Sequence, residues 1–162
     1  MKRVLLCGVL TLAVRASADE GAYLFVVGPG VAFRSFSAPV LPHMSVLVES
    51  TFGLTDRWNW ELPVWVDFRS GRVDLSLGAG MEFVYLRAGH LQCNVGAGSL
   101  FAVPFLPGLS LGIGPYLETA VRWKIIWGIG VGLEVHAGYA WSLTGPGQAP
   151  FASAVLALHS EL

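Results

Sequence analysis

Between Ile125 and Trp141 the odd positions are apolar or aromatic throughout: Ile125, Trp127, Ile129, Val131, Leu133, Val135, Ala137, Tyr139 and Trp141. The even positions include Gly128, Gly130, Gly132, Glu134, His136 and Gly138. A sustained period of two predicts a strand with one greasy face and one small or polar face. A helix would scatter Glu134 and His136 around its circumference.

The same alternation runs along the rest of the chain. Val73, Leu75, Leu77, Ala79, Met81, Phe83 and Tyr85 oppose Arg72, Asp74, Ser76, Gly78, Gly80 and Glu82. Leu91 to Phe101, Leu109 to Val121, Trp58 to Phe68 and Met44 to Phe52 repeat it, while Tyr23–Phe33 and Phe151–Leu162 supply a first and a last strand. Eight strands of this length are enough to cross a membrane at the usual tilt, so the expected fold is all-β: an eight-stranded antiparallel up-and-down transmembrane β-barrel. Glu49, Glu61, Asp67, Asp74, Glu82, Glu118, Glu134 and Glu161 all fall on the non-greasy face. A soluble lipid-carrying barrel would show the inverse.

Aromatic placement agrees. With strands running alternately up and down, Tyr23, Phe52, Trp58, Trp60, Phe83, Tyr85, Trp123 and Trp127 gather at the end where the chain enters. Phe33, Phe68, Phe101, Tyr139 and Trp141 gather at the other. Two belts of rings suit the two membrane interfaces. Leu54–Arg57 and Arg122–Trp123–Lys124 read as tight turns at the entry end; 35–42, 103–108 and 142–150 read as longer loops at the far end. Pro29, Pro63 and Pro115 fall inside strands and remove ladder hydrogen bonds, so bulges are expected there. The uncharged run Val95–Leu117 is too rich in proline and too cleanly alternating for a membrane helix.

Composition fits this picture. Of 162 residues, 54% are hydrophobic and 13% charged, against about a quarter charged in ordinary domains; mean hydropathy is +0.60. A disordered chain is excluded and an ordinary water-soluble domain fits poorly. Length suits one domain. A net charge of −1 leaves no basic footprint for nucleic acid.

The first residues have their own logic. Lys2 and Arg3, the apolar run Val4–Val14 and Ala16-Ser17-Ala18 form the three parts of a secretory signal peptide. Residues 1–18 are expected to be cleaved, leaving 19–162 as the barrel; the apolar run is too short to span a bilayer. Cys7 follows Leu6 where a lipoprotein needs a small residue, so lipidation is not expected. Loss of Lys2, Arg3 and Arg15 leaves a net charge of −4 and one cysteine, Cys93, which cannot form an intramolecular disulfide. Cys93 reads as a lipid-facing small hydrophobe.

Phe52-Gly53-Leu54-Thr55-Asp56-Arg57-Trp58 resembles the strand–turn–strand signature of the small eight-stranded outer-membrane β-barrels of Gram-negative bacteria. Ala154–Leu162 resembles the assembly signal at the C-termini of such barrels, with Leu162 where that family usually has Phe. The resemblance implies a bacterial outer-membrane location. It implies outer-membrane lipids, lipopolysaccharide and the barrel-assembly machinery as partners.

Inward charges sort by height in this reading. Arg34, His43, Asp67, Arg69, Arg72 and Asp74 lie near the far rim, and Arg57, Glu82, His90, Glu118, Arg122, His159 and Glu161 near the entry end. An interior this narrow is just wide enough for side chains to fill, and buried charges must pair. Glu49, Glu61, Glu82, Glu118, Arg122 and Glu134 are therefore read as an ion-pair network. Glycines crowd one half of the inner wall. Gly80, Gly98, Gly114 and Gly130, with Trp65 and Tyr116, line a cavity for a small apolar ligand in one reading; in the other Trp65, Tyr116 and their neighbours fill the space.

Catalysis would need a constellation. His43, Ser45 and Glu49 share one strand face, and a few barrels of the resembled family are lipid A-modifying acyl hydrolases or acyltransferases. A triad, however, must converge on one atom, which residues two apart on a strand need not do. The histidines divide between the two ends, His43 and His136 high and His90 and His159 low, so no metal site and no cofactor are expected. The sequence thus predicts a barrel with a structural or surface role and no catalytic activity. Its alternatives are a carrier of a small apolar ligand and a lipid A-modifying enzyme. No cell-wall-anchoring domain is expected after the barrel.

Overall fold

The computed structural model describes residues 23–34, 42–69, 72–104, 111–126, 128–143 and 148–161. The expected signal peptide and most of the far-end loops lie outside these residues. So do Trp127 and the side chains of Tyr23, Arg34, Arg69, Arg72 and Glu161.

Eight strands close into one barrel: β1 (Tyr23–Arg34), β2 (Pro42–Gly53), β3 (Trp58–Arg69), β4 (Arg72–Ala88), β5 (Leu91–Pro104), β6 (Gly112–Ile126), β7 (Ile129–Ser142) and β8 (Gln148–Glu161). Each pairs antiparallel with its neighbours in sequence, and β1 pairs with β8 to seal the wall. Closure leaves no sheet edge, as a strand protein in hydrocarbon requires.

Burial follows the alternation. Along β6 buried and exposed positions alternate strictly from Gly112 to Trp123. Leu117, Trp123, Leu156 and Leu158 stand more than half exposed, joined around the wall by Met44, Trp60, Met81 and Ile113. Water-soluble proteins rarely expose contiguous apolar patches beyond a few hundred Å²; here the apolar surface encircles the molecule, and it faces lipid. Phe52, Trp58, Trp60, Tyr85 and Trp123 are exposed towards one end and Phe33, Phe68, Phe101 and Trp141 towards the other. Trp58 and Phe83, register partners on β3 and β4, have ring centroids 4.8 Å apart.

The first entry-end turn is built by its own residues. Leu54 and Thr55 N–H groups donate to the Trp58 carbonyl, and the Thr55 hydroxyl accepts from the N–H groups of Arg57 and Trp58. A short hydroxyl side chain replaces the missing ladder partners in this way.

Several expectations are corrected. Arg122–Lys124 is not a turn. β6 continues to Ile126, Trp123 pairs with Val131, and the chain reverses at Gly128, whose φ of 78° suits glycine. The far-end strand limits differ from those read: β5 runs to Pro104 and β6 begins at Gly112, later than expected, while β8 begins at Gln148, earlier than expected. The prolines do not shift register. Pairing skips positions 28–29 on the β8 side, 62–63 on the β4 side and 114–115 on the β7 side, and resumes in the same register each time. A proline lacks one N–H, so a gap on one edge suffices, and glycine supplies the room: a Cβ on Gly78 would lie 2.7 Å from Pro63 Cγ. The actual register shifts lie between Val84 and Leu86 and between Lys124 and Ile126. Cys93, though in register with exposed Leu86 and Val121, is itself buried.

Candidate functional site

The inward face of the wall packs into a continuous interior with an apolar part and a charged part. Leu47, Trp65, Leu100, Tyr116, Phe151 and Val155 form the apolar part. Trp65 reaches across from β3 and meets Tyr116, His136 and Phe151 edge-on, at centroid distances of 5.5, 5.1 and 5.9 Å. Such edge contacts suit the ring quadrupoles.

The glycine-rich half of the wall is what these rings pack against. A Cβ on Gly80 would lie 2.5 Å from the Tyr116 hydroxyl and 2.6 Å from Glu61 Oε1, and one on Gly98 would lie 2.6 Å from Tyr116 Cε1. On Gly78 it would meet the Trp65 ring. At Gly114 the Tyr139 carbonyl stands in the way, and at Gly130 the His159 ring and the Trp123 carbonyl do. The room beside these glycines is thus taken, by Tyr116 at Gly80 and Gly98, by the Tyr139 carbonyl at Gly114 and by the His159 ring and Trp123 carbonyl at Gly130, while Trp65 packs over Gly78. A hollow that does border Gly80 and Gly98 lies on the lipid side, between Trp60 and Met81.

The charged part centres on Arg122. Its Nε donates to Glu134 Oε1 at 2.9 Å, Nη1 to Glu82 Oε2 at 2.8 Å and Nη2 to Glu49 Oε1 at 3.0 Å. One planar guanidinium thus ties β2, β4 and β7 to β6, a task suited to its fixed fork of donors. Neutral donors complete the set: Asn94 Nδ2 and Asn59 Nδ2 reach Glu82 Oε1 at 2.6 and 3.0 Å, and the Thr51 hydroxyl reaches Glu49 Oε1 at 2.9 Å. Asn59, Asn94 and Thr51 were not picked out from sequence. Their inward parity was the available signal.

Glu61 and Glu118 lie outside this fork. The Tyr116 hydroxyl donates to Glu61 Oε1 at 2.6 Å, and His136 Nε2 meets Glu118 Oε2 at 2.9 Å. Glu118 and His136 are register partners, so they share a height, contrary to the sequence reading that set them at opposite ends. Sequence reasoning matched histidines only with histidines. The fold instead brings His136 among carboxylates, with one ligand-capable atom each from Glu49, Glu118 and His136 all within 4.8 Å of one another.

The candidate triad does not assemble. The Ser45 hydroxyl donates to Asp67 Oδ1 at 2.7 Å, His43 Nε2 lies 3.7 Å from the same oxygen, and Glu49 is engaged with Arg122 and Thr51. Ser45 is wholly buried and faces an acid, with no base between them. At the entry end a cavity of about 170 Å³ is lined by Leu24, Arg87, His90, Arg122, Lys124 and His159.

No protein-family model matches the sequence, and no curated protein matches it. Solved structures do. The crystal structure of Neisserial surface protein A superposes with a TM-score of 0.69 at 13% identity, over 89% of this chain and 100% of that one. The outer membrane protein OprG from Pseudomonas aeruginosa gives 0.63 at 9% identity, over 90% and 98%. Ail of Yersinia pestis, solved with the heparin analogue sucrose octasulfate, gives 0.56 at 10% identity, over 89% and 100%. The fold is that of the small eight-stranded outer-membrane barrels.

Proposed function

We propose that the protein is a bacterial outer-membrane component with a structural or surface role, exported by a cleaved signal peptide and lacking catalytic activity. Its partners in this reading are outer-membrane lipids, lipopolysaccharide and the barrel-assembly machinery. One observation carries the proposal: a lipid-facing wall encloses an interior packed by Trp65, Tyr116 and Phe151 and tied by Arg122 to three carboxylates. Such a barrel is built to persist in a bilayer rather than to pass a solute.

The test is native mass spectrometry of protein extracted from membranes in mild detergent, compared with refolded protein. No organic adduct is expected on either sample. A stoichiometric organic ligand on the membrane-derived sample alone would overturn the filled-barrel reading in favour of a small-ligand carrier.

A further inference from the structure

The charged part of the interior is out of balance. Five buried carboxyl groups, Glu49, Glu61, Glu82, Glu118 and Glu134, surround one guanidinium. Isolated charge is costly in a low-dielectric interior and is met by pairing or by a metal ion. Arg122 answers Glu49, Glu82 and Glu134. It leaves oxygens over: among the described residues Glu49 Oε2 and Glu134 Oε2 are sealed from solvent without a hydrogen-bond partner, and so is His136 Nδ1.

We propose that Glu49, Glu118 and His136 form a binding site for one divalent transition-metal ion in the barrel core. Three observations converge on them. Their ligand-capable atoms lie within 4.8 Å of one another, and each of the three side chains is buried. Glu49 also carries an unpartnered oxygen, Oε2, beside the one that Arg122 and Thr51 hold. Finally, His136 Nε2 and Glu118 Oε2 are 2.9 Å apart, close to the roughly 3 Å between adjacent ligands around an ion with bonds of about 2.0–2.2 Å.

The donor set selects the ion. One imidazole with carboxylates suits Zn²⁺, Co²⁺ or Mn²⁺ better than Mg²⁺ or Ca²⁺, which prefer oxygen alone. The surroundings supply orienting contacts. Arg122 Nη2 and the Thr51 hydroxyl hold Glu49 Oε1 and leave its other oxygen, and Trp65 packs edge-on against the His136 ring. Glu49 is also within reach of Glu61 in a second buried group, and the unpartnered Glu61 Oε2 stands ready to extend the shell. The ion replaces the proton shared by His136 and Glu118, and its charge offsets the carboxylate excess. Because the three side chains are closed from solvent, the ion enters as the barrel closes.

The full chain is refolded into detergent micelles with excess Co²⁺, desalted, and read by elemental analysis and visible absorption. One tightly held Co²⁺ per chain with a d–d band is expected. His136→Gln and Glu49→Gln are each expected to reduce retained Co²⁺ at least about tenfold, with His90→Gln at the entry-end cavity unchanged. Circular dichroism identifies folded variants, and Glu118→Gln stands in for either that does not fold. Wild-type protein that retains no Co²⁺ overturns the proposal by itself. Retention unaffected by the folded core variants, or lost equally in His90→Gln, overturns it too.

Discussion

The Tyr116 hydroxyl donates to Glu61 Oε1 at 2.6 Å, joining β6 to β3 across the barrel. These strands are not neighbours in the wall, so the bond spans the interior. It also fixes the phenol over Gly80, where a side chain would collide with it. Removing the hydroxyl leaves a buried carboxyl oxygen without its donor, at a cost of about 1–3 kcal/mol. Tyr116→Phe is accordingly expected to lower the urea midpoint of the barrel in micelles, with the strand content of the folded state unchanged.

Arg122 presents a sharper case. Its three carboxylate partners come from three strands, and all are buried. Breaking a buried ion pair by removing one partner typically costs about 3–5 kcal/mol. Arg122→Met is expected to lose that much or fail to refold, and adding Glu82→Gln is expected to restore part of the loss. Equal stability of Arg122→Met and wild type in denaturant titration would show that the network carries no structural weight.

The glycine wall makes a prediction of opposite sign to a ligand cavity. Gly98→Leu must displace the Tyr116 ring, and overpacking of this kind costs about 1–3 kcal/mol or more. Thermal and urea unfolding are expected to show destabilisation. A cavity with room to spare would instead accept the leucine at wild-type stability.

At the far rim, the Ser45 hydroxyl is spent on Asp67 and buried. His43→Ala is therefore expected to leave the lipid A of the host membrane unchanged in mass. A shift by one acyl chain between wild-type and variant cells would restore the enzymatic reading.

How much of this was legible beforehand differs by element. Trp65 and Tyr116 were readable as inward from parity alone, as were Glu49, Glu61, Glu82, Glu118 and Glu134. Their partners were not. Asn94 binds Glu82 and Thr51 binds Glu49, and no spacing in the sequence announces either contact. The turn at Gly128 was misplaced onto Arg122–Lys124 because three polar or aromatic residues look like a break in an apolar run. Backbone conformation decided the matter, since Gly128 takes the left-handed angles a tight reversal uses.

Alternation along the chain was enough to place the strand period, the lipid-facing side of each strand and the inward position of its acids. A side chain's face depends on parity along one strand, and parity is local. The meeting of side chains across the barrel is set instead by the closed fold. Whether Tyr116 fills the space at Gly80 and Gly98, whether Glu118 and His136 share a height, and which three acids Arg122 holds all depend on the stagger between strands. Barrel closure fixes that stagger through every pair at once, so no single strand contains it.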